Sequence, residues 1–370
     1  MRISIDATGL GGPKTGTSVY LTEILSAWNR DQTIDHEFVI FSSPKALQHL
    51  VVLNLDRRFQ FIQAPDNRHV RTLWQQCVMA WYVNKLRVNV HWGAGFVLPL
   101  LSTRPMVVTV HDLTFQLFPS VHELIKRYYF PAMIKAAVNK AKYVLAISES
   151  TRNDLHRLLP ISCGKTVVTL LAARNYSSQM PRALTRDQSE SRDYRYVLFV
   201  GTVEPRKNLE RLIAAWRTIA PLDRGDAKLV IAGATGWLVD NMLSQSAADD
   251  AIVFKGFVGD DDLAELMSGA TAFVYPSLYE GFGLPVLEAM AQGIPVLTSN
   301  VGATREVADG AALLIDPASI PSIRDGLLRL LKDDALRVQL SHLGLERVST
   351  FSWERTAVET LAVIESAAVL

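Results

Sequence analysis

Short apolar runs, each followed by a helical pattern, recur in two successive series along the chain and constrain its fold more than any other feature. A strand buried on both faces reads as a continuous apolar run, and an intervening helix returns the chain so that the next strand lies parallel. The first series opens with Ile3 and Ile5, passes a glycine-rich loop from Gly9 to Gly16, and enters a helix carrying Val19, Leu21, Ile24 and Leu25. It continues through Phe38–Phe41, Val88–Val90, Val107–Val110 and Tyr143–Ile147. The second series runs through Tyr196–Val200, Lys228–Ala232, Ile252–Phe254, Ala272–Tyr275 and Pro295–Leu297. Between them the chain turns polar and loses its periodicity. The pattern predicts an α/β protein of two Rossmann-like domains with parallel sheets, spanning 1–175 and 196–352, with a linker over 176–195. Residues 353–370 read as one last helix, with Val358, Leu361, Val363 and Ile364 on its apolar face.

At 370 residues the chain exceeds one ordinary core, which agrees with two domains. No apolar run reaches the roughly eighteen residues of a membrane span, and Asp6 interrupts the opening apolar run, which argues against a signal peptide. Cys77 and Cys163 are too isolated for a disulfide framework or a metal site, so reduced thiols and a cytoplasmic location are expected. The net charge of +1 conceals an asymmetry. Residues 1–185 hold 21 Lys and Arg against 11 Asp and Glu, and the remainder 17 against 26. A basic first half implies an anionic neighbour: a nucleic acid, an anionic membrane or a phosphorylated acceptor.

Three loops carry chemistry. In Tyr279-Glu280-Gly281-Phe282-Gly283-Leu284-Pro285, two glycines let backbone approach a ligand and Pro285 suits the first turn of a helix. Amides at that helix start attract an anion, and Glu288, further along, can hold sugar hydroxyls. In Gly201-Thr202-Val203-Glu204-Pro205-Arg206-Lys207-Asn208-Leu209, adjacent cations follow a strand, where a doubly wound fold binds its ligand. Cations there can neutralise charge growing on a departing diphosphate. Third, His111 beside Asp112 at a strand end can hydrogen-bond a sugar or move a proton, although a lone strand-end histidine is more often a satisfied polar group.

Other patterns are set aside. A dinucleotide fingerprint from Gly9 requires glycine where Lys14 stands, and no acidic residue ends the second strand. Asp260-Asp261-Asp262 reads as a charged first helical turn, so no metal is expected. Two segments mix aromatics with cations, as a surface resting on anionic headgroups does. One runs from Arg68 through Trp74 and Trp81 to Arg87, the other from Lys126 through Tyr128 and Phe130 to Lys142. No nucleic-acid-binding motif accompanies them.

Together these motifs resemble the family-four retaining glycosyltransferases, often called glycosyl transferases group 1, which have the GT-B fold. The likeness covers almost the whole chain, including the closing Phe351-Ser352-Trp353-Glu354. It implies two Rossmann-like domains facing a central cleft, an acceptor-side first domain, and a last helix that crosses back to that domain. Arg206 and Lys207 would then bind the donor diphosphate, and Glu288 the nucleotide ribose. Glu280, with Gly281, Phe282, Gly283 and Leu284, would hold the transferred sugar. His111 would sit at the sugar's reactive face, and Gly12 and Gly16 would let the first loop approach the substrates. The family transfers sugar with retention, from a nucleotide-diphosphate sugar, without a further cofactor or an essential metal. The Glu204–Leu209 loop departs from the family's frequent Lys-Gly ending and resembles the branch building bacterial surface polysaccharides. That implies mannose or rhamnose from a GDP-sugar and a glycan acceptor that is lipid-linked; the basic first half adds an expected peripheral contact with the inner face of the cytoplasmic membrane. A UDP-sugar donor, an epimerase or phosphorylase on the same fold, and a nucleotide-sugar-binding protein without turnover are the competing readings.

Overall fold

The computed structural model describes residues 1–10, 15–119, 124–174, 194–234 and 249–369. It divides into two compact units, Met1–Leu171 with Ser352–Leu370, and Ala172–Phe351. The expected linker over 176–195 falls outside the described residues except for Tyr194 and Arg195.

The first unit is built on seven strands: β1 (Arg2–Asp6), β2 (Glu37–Ser42), β3 (Phe59–Gln63), β4 (Val90–Gly93), β5 (Met106–Val110), β6 (Tyr143–Ala146) and β7 (Thr166–Val168). Every pairing is parallel, in the order β3-β2-β1-β4-β5-β6-β7. Ile3, Ile5, Val90 and Val107–Val108 are wholly buried, as a sheet covered on both faces requires. The fourth strand starts at Val90 rather than Val88, because Arg87 has a positive φ and Asn89 still donates to the Arg2 carbonyl as the strand begins. β3 and β7, on the sheet's two edges, were not foreseen.

The helix Gly16–Arg30 starts at a capping box, in which Thr15 accepts from the Ser18 amide and Ser18 accepts from the Thr15 amide. Its Trp28 lies between Phe38 (ring centroids 5.2 Å apart) and Trp92 (5.5 Å). Against this helix, β4 and β5 packs the last helix, Trp353–Ala368, capped by Ser352. Trp28 Nε1 donates to the Ala357 carbonyl at 2.9 Å, and Thr356 Oγ1 donates to the Leu170 carbonyl. The chain's last described helix therefore completes the first unit's core, as the resemblance implied.

Six further strands form the second sheet: β8 (Tyr196–Val200), β9 (Lys228–Ala232), β10 (Ile252–Gly256), β11 (Ala272–Tyr275), β12 (Val296–Ser299) and β13 (Leu313–Ile315). They too are all parallel, ordered β10-β9-β8-β11-β12-β13. β8 and β9 approach so closely at their ends that a Cβ on Gly233 would stand 2.0 Å from the Gly201 carbonyl oxygen, so no other residue fits there. The helix Leu284–Ala291 is apolar nearly all round and is buried accordingly, with Val286, Leu287, Ala289 and Met290 inaccessible. No helix among the described residues is long and apolar enough to cross a membrane.

Candidate functional site

In the second sheet the strand order reverses between β8 and β11. A doubly wound sheet binds ligands outside the carboxyl ends of the strands at such a point. The loop after β8 carries Glu204, Arg206 and Lys207, and the loop after β11 carries Tyr279–Gly283, so two of the three sequence-predicted motifs flank this reversal. The two loops are tied by a backbone bond from the Leu278 amide to the Arg206 carbonyl, 2.9 Å.

Their side chains form one buried ion cluster. Arg206 reaches Glu204 Oε1 with Nη2 (2.6 Å), and with Nη1 it reaches both Glu280 Oε2 (2.7 Å) and the Tyr279 carbonyl (2.8 Å). Lys207 Nζ donates to Glu280 Oε1 at 2.7 Å and to the Tyr275 hydroxyl. Two cations and two carboxylates balance, which is how a protein keeps such groups buried. Burial alone would raise the Glu280 carboxyl, but Arg206 and Lys207 hold it down to about 2. Burial and the neighbouring Arg206 push the Lys207 ammonium down, while burial pushes the Tyr275 phenol up, so that it keeps its proton. Asn208 turns the chain from this cluster into the next helix in the left-handed region (φ 63°), fixed by bonds from Nδ2 to the Pro276 (3.0 Å) and Pro317 (2.7 Å) carbonyls.

Gly281, Phe282, Gly283 and Leu284 are buried along the same loop. Gly283 has φ +108° at the N-cap of the helix Leu284–Ala291, a conformation that excludes a side chain. Phe282 packs edge-on against Phe351 (5.9 Å), which explains why the closing aromatic motif accompanies this loop.

Glu288 does not join Glu280. It lies in the second turn of that helix, 3% exposed, and is gripped by Arg174: Nε to Oε1 at 2.6 Å and Nη2 to Oε2 at 3.3 Å. Arg174 also pairs with Asp260 at 3.3 Å, in the first turn of the helix Asp260–Gly269. Eight positions along the chain thus separate two carboxylates with different cations. Arg174, Glu204 and Tyr275 were not singled out from the sequence. Glu204 had a signal in its place beside Arg206, whereas Arg174 reads only as the start of a polar stretch.

In the first unit, His111 follows β5 and its Nε2 donates to the Ala94 carbonyl after β4, 2.8 Å away. A carbonyl only accepts, so the proton resides on Nε2 and Nδ1 is the acceptor nitrogen. Burial pushes its pKa down, against the pull of Ala94 and Asp112, and keeps the ring neutral. The ring edge rests against Tyr20 at 5.1 Å. A neutral His111 can accept from a sugar hydroxyl but cannot serve as an acid through Nδ1. Gly16 opens the helix after the glycine loop; Gly12 lies outside the described residues.

Residues 182–346 match the family described as Glycosyl transferases group 1, and residues 15–169 match Glycosyltransferase Family 4. The chain is 33% identical over 290 residues to the O-antigen chain mannosyltransferase B of Escherichia coli, covering 76% of this chain and 75% of that one. It belongs to the family-four glycosyltransferases. This glycosyltransferase is also 31% identical over 354 residues to the serotype-specific mannosyltransferase WbdA of E. coli, across 89% of its own length but 41% of that longer relative. Its fold superposes on the sucrose-phosphate synthase of Thermosynechococcus elongatus with a TM-score of 0.77 at 20% identity, over 99% of this chain and 98% of the other. The two parallel sheets of this glycosyltransferase are thus those of GT-B enzymes.

Proposed function

We propose that the chain transfers a hexose, mannose or a deoxymannose such as rhamnose, from a GDP-sugar to a lipid-linked glycan acceptor in surface polysaccharide synthesis. The observation that carries this reading is the Glu204–Arg206–Lys207–Glu280 cluster at the strand-order reversal of the second sheet. A diphosphate arriving there competes with the two carboxylates for Arg206 and Lys207, which are already desolvated and need little reorganisation. Those cations take the charge of the departing nucleoside diphosphate, a task that needs no metal or other cofactor. Glu280, released from part of its pairing, accepts from hydroxyls of the transferred sugar beside the amides of Gly281–Leu284, and Glu288 holds the ribose. Neutral His111 accepts from the sugar near the reacting carbon. No carboxylate is assigned as a covalent nucleophile; the leaving phosphate takes the acceptor's proton, and the anomeric configuration is retained. The mannosyl choice is supported by the relatives, which are named as an O-antigen chain mannosyltransferase and a serotype-specific mannosyltransferase.

Contact with an anionic membrane is part of the same proposal. Val70 (52% exposed), Leu73 (70%) and Trp81 (51%) stand out from the helical stretch 68–85, with Lys85 Nζ 4.3 Å from the Trp81 ring centroid. Apolar side chains with cations beside them suit the headgroup boundary. Trp74 and Tyr82 turn inward instead, against Phe41.

Thermal unfolding with GDP, UDP, ADP and NAD tests the donor. A ligand at a hundred times its dissociation constant adds about 2.7 kcal/mol. Stabilisation by GDP that disappears in Arg206→Ala, together with loss of sugar transfer in Glu280→Ala, is the expected result. Selective stabilisation by UDP replaces the donor; undiminished transfer by Glu280→Ala removes the role given to the cluster; no shift with any nucleotide favours a protein without turnover.

A further inference from the structure

Glu288 is the only charged residue of the apolar helix Leu284–Ala291, and its side chain is 4% exposed. Arg174 meets it as a fork, with Nε on Oε1 and Nη2 on Oε2, and carries a third contact outward to Asp260. Exposure rises along that line, to 20% at Arg174 and 43% at Asp260. The guanidinium is thereby held from two helices, and it fixes the plane of a buried carboxylate. Stability does not account for such a pair, because well-packed apolar residues of the same volume stabilise a core as well or better. A lysine would supply the charge without fixing the plane, since an ammonium has no fork.

The fork also limits what Glu288 can do with a ribose. The 2′ and 3′ hydroxyls stand on neighbouring carbons, and a carboxylate takes both by facing them with one oxygen each. Arg174 occupies that approach. Of the roughly four acceptor directions of a carboxylate, the fork uses the two that point forward. The other two point to opposite sides, too far apart for one diol. Either Arg174 leaves, or a single hydroxyl bonds beside it. Displacing Arg174 breaks a buried ion pair, which costs more than one further hydrogen bond to a charged group returns. The comparison favours keeping the fork.

We propose that Arg174 is the positioning residue of the ribose subsite, and that Glu288, held in its fork, accepts from one ribose hydroxyl of the donor nucleotide. The inference rests on the reading of Glu288 as the ribose ligand. It adds which residue orients the carboxylate and how many hydroxyls are recognised. Arg174 acts through Glu288 rather than on the substrate, and a binding group is only as precise as the partner that locks it.

The test measures binding of GDP and its 2′-deoxy and 3′-deoxy analogues to the full chain by calorimetry, with the UDP set run alongside. For the nucleotide that binds, one analogue should bind the wild type about tenfold more weakly than the parent, and the other within about twofold of it. Arg174→Lys should reduce that discrimination to about twofold, because the ammonium leaves the carboxylate plane unfixed. The ratio of diphosphate to monophosphate affinity, set at Arg206 and Lys207, should stay at its wild-type value. General loosening of the unit would move both ratios together. Should Arg174→Lys fail to fold, Asp260→Asn, which removes the outer anchor, should narrow the discrimination about threefold. Weaker binding of both analogues by the wild type overturns the proposal, since the fork then gives way to the diol. Discrimination unchanged in the variant removes the positioning role and leaves Glu288 as the ribose ligand. Equal binding of parent and both analogues, or binding of none, removes the ribose reading itself and the inference with it.

Discussion

Glu280→Gln keeps the shape of the side chain and removes the charge that two buried cations share. With its carboxylate bonded to Arg206 and Lys207 at 2.7 Å each, Glu280 is held at about 2 against an ordinary 4.5. That separation corresponds to about 3 kcal/mol of folding free energy at neutral pH. Breaking a buried ion pair by removing one partner gives the same size, roughly 3–5 kcal/mol. Because the folded value is depressed, this stability is complete above the unfolded value of about 4.5 and is lost as pH falls toward 2. The variant should therefore melt roughly 10 °C below the wild type at pH 7. Urea titrations from pH 7 to pH 3 should show the gap between the two proteins narrowing as the wild type begins to lose its advantage. A gap that stays constant with pH, or is absent at pH 7, would refute the reasoning, since it would mean that Arg206 and Lys207 do not depend on the carboxylate.

Arg174→Ala leaves Glu288 buried without its guanidinium and should cost about 3 kcal/mol by chemical denaturation. Arg174→Lys should recover only part of that, because an ammonium cannot reproduce the forked grip. Binding to anionic vesicles should weaken as salt shortens the screening length, and Leu73→Ser with Trp81→Ser should reduce it about tenfold without changing the melting temperature; co-sedimentation independent of lipid charge would remove the electrostatic part of the membrane proposal.

The central strands were legible because burial on both faces makes them continuous apolar runs. The strands missed, β3, β7 and β13, all lie on sheet edges. β3, Phe-Gln-Phe-Ile-Gln, exposes most of its positions, and β7 and β13 are three residues each, so neither length nor composition marks them. The loops after β8 and β11 were legible because glycine, proline and paired cations at fixed offsets have few alternative uses. Partnership was not. Nothing local says that Glu288 pairs with Arg174, more than a hundred residues earlier, while Glu280 pairs with Arg206 and Lys207.

Since the helix Trp353–Ala368 closes the first unit, that unit is finished after the second as the chain leaves the ribosome. Residues 172–351 are contiguous and can bury their own sheet first, reversing the usual order in which the N-terminal domain folds ahead. At ordinary elongation rates the first sheet waits on the order of ten seconds or more for its final helix. During that interval Trp28 and the faces of β4 and β5 lack their cover, and a nascent chain paused before Trp353 presents that apolar surface to chaperones.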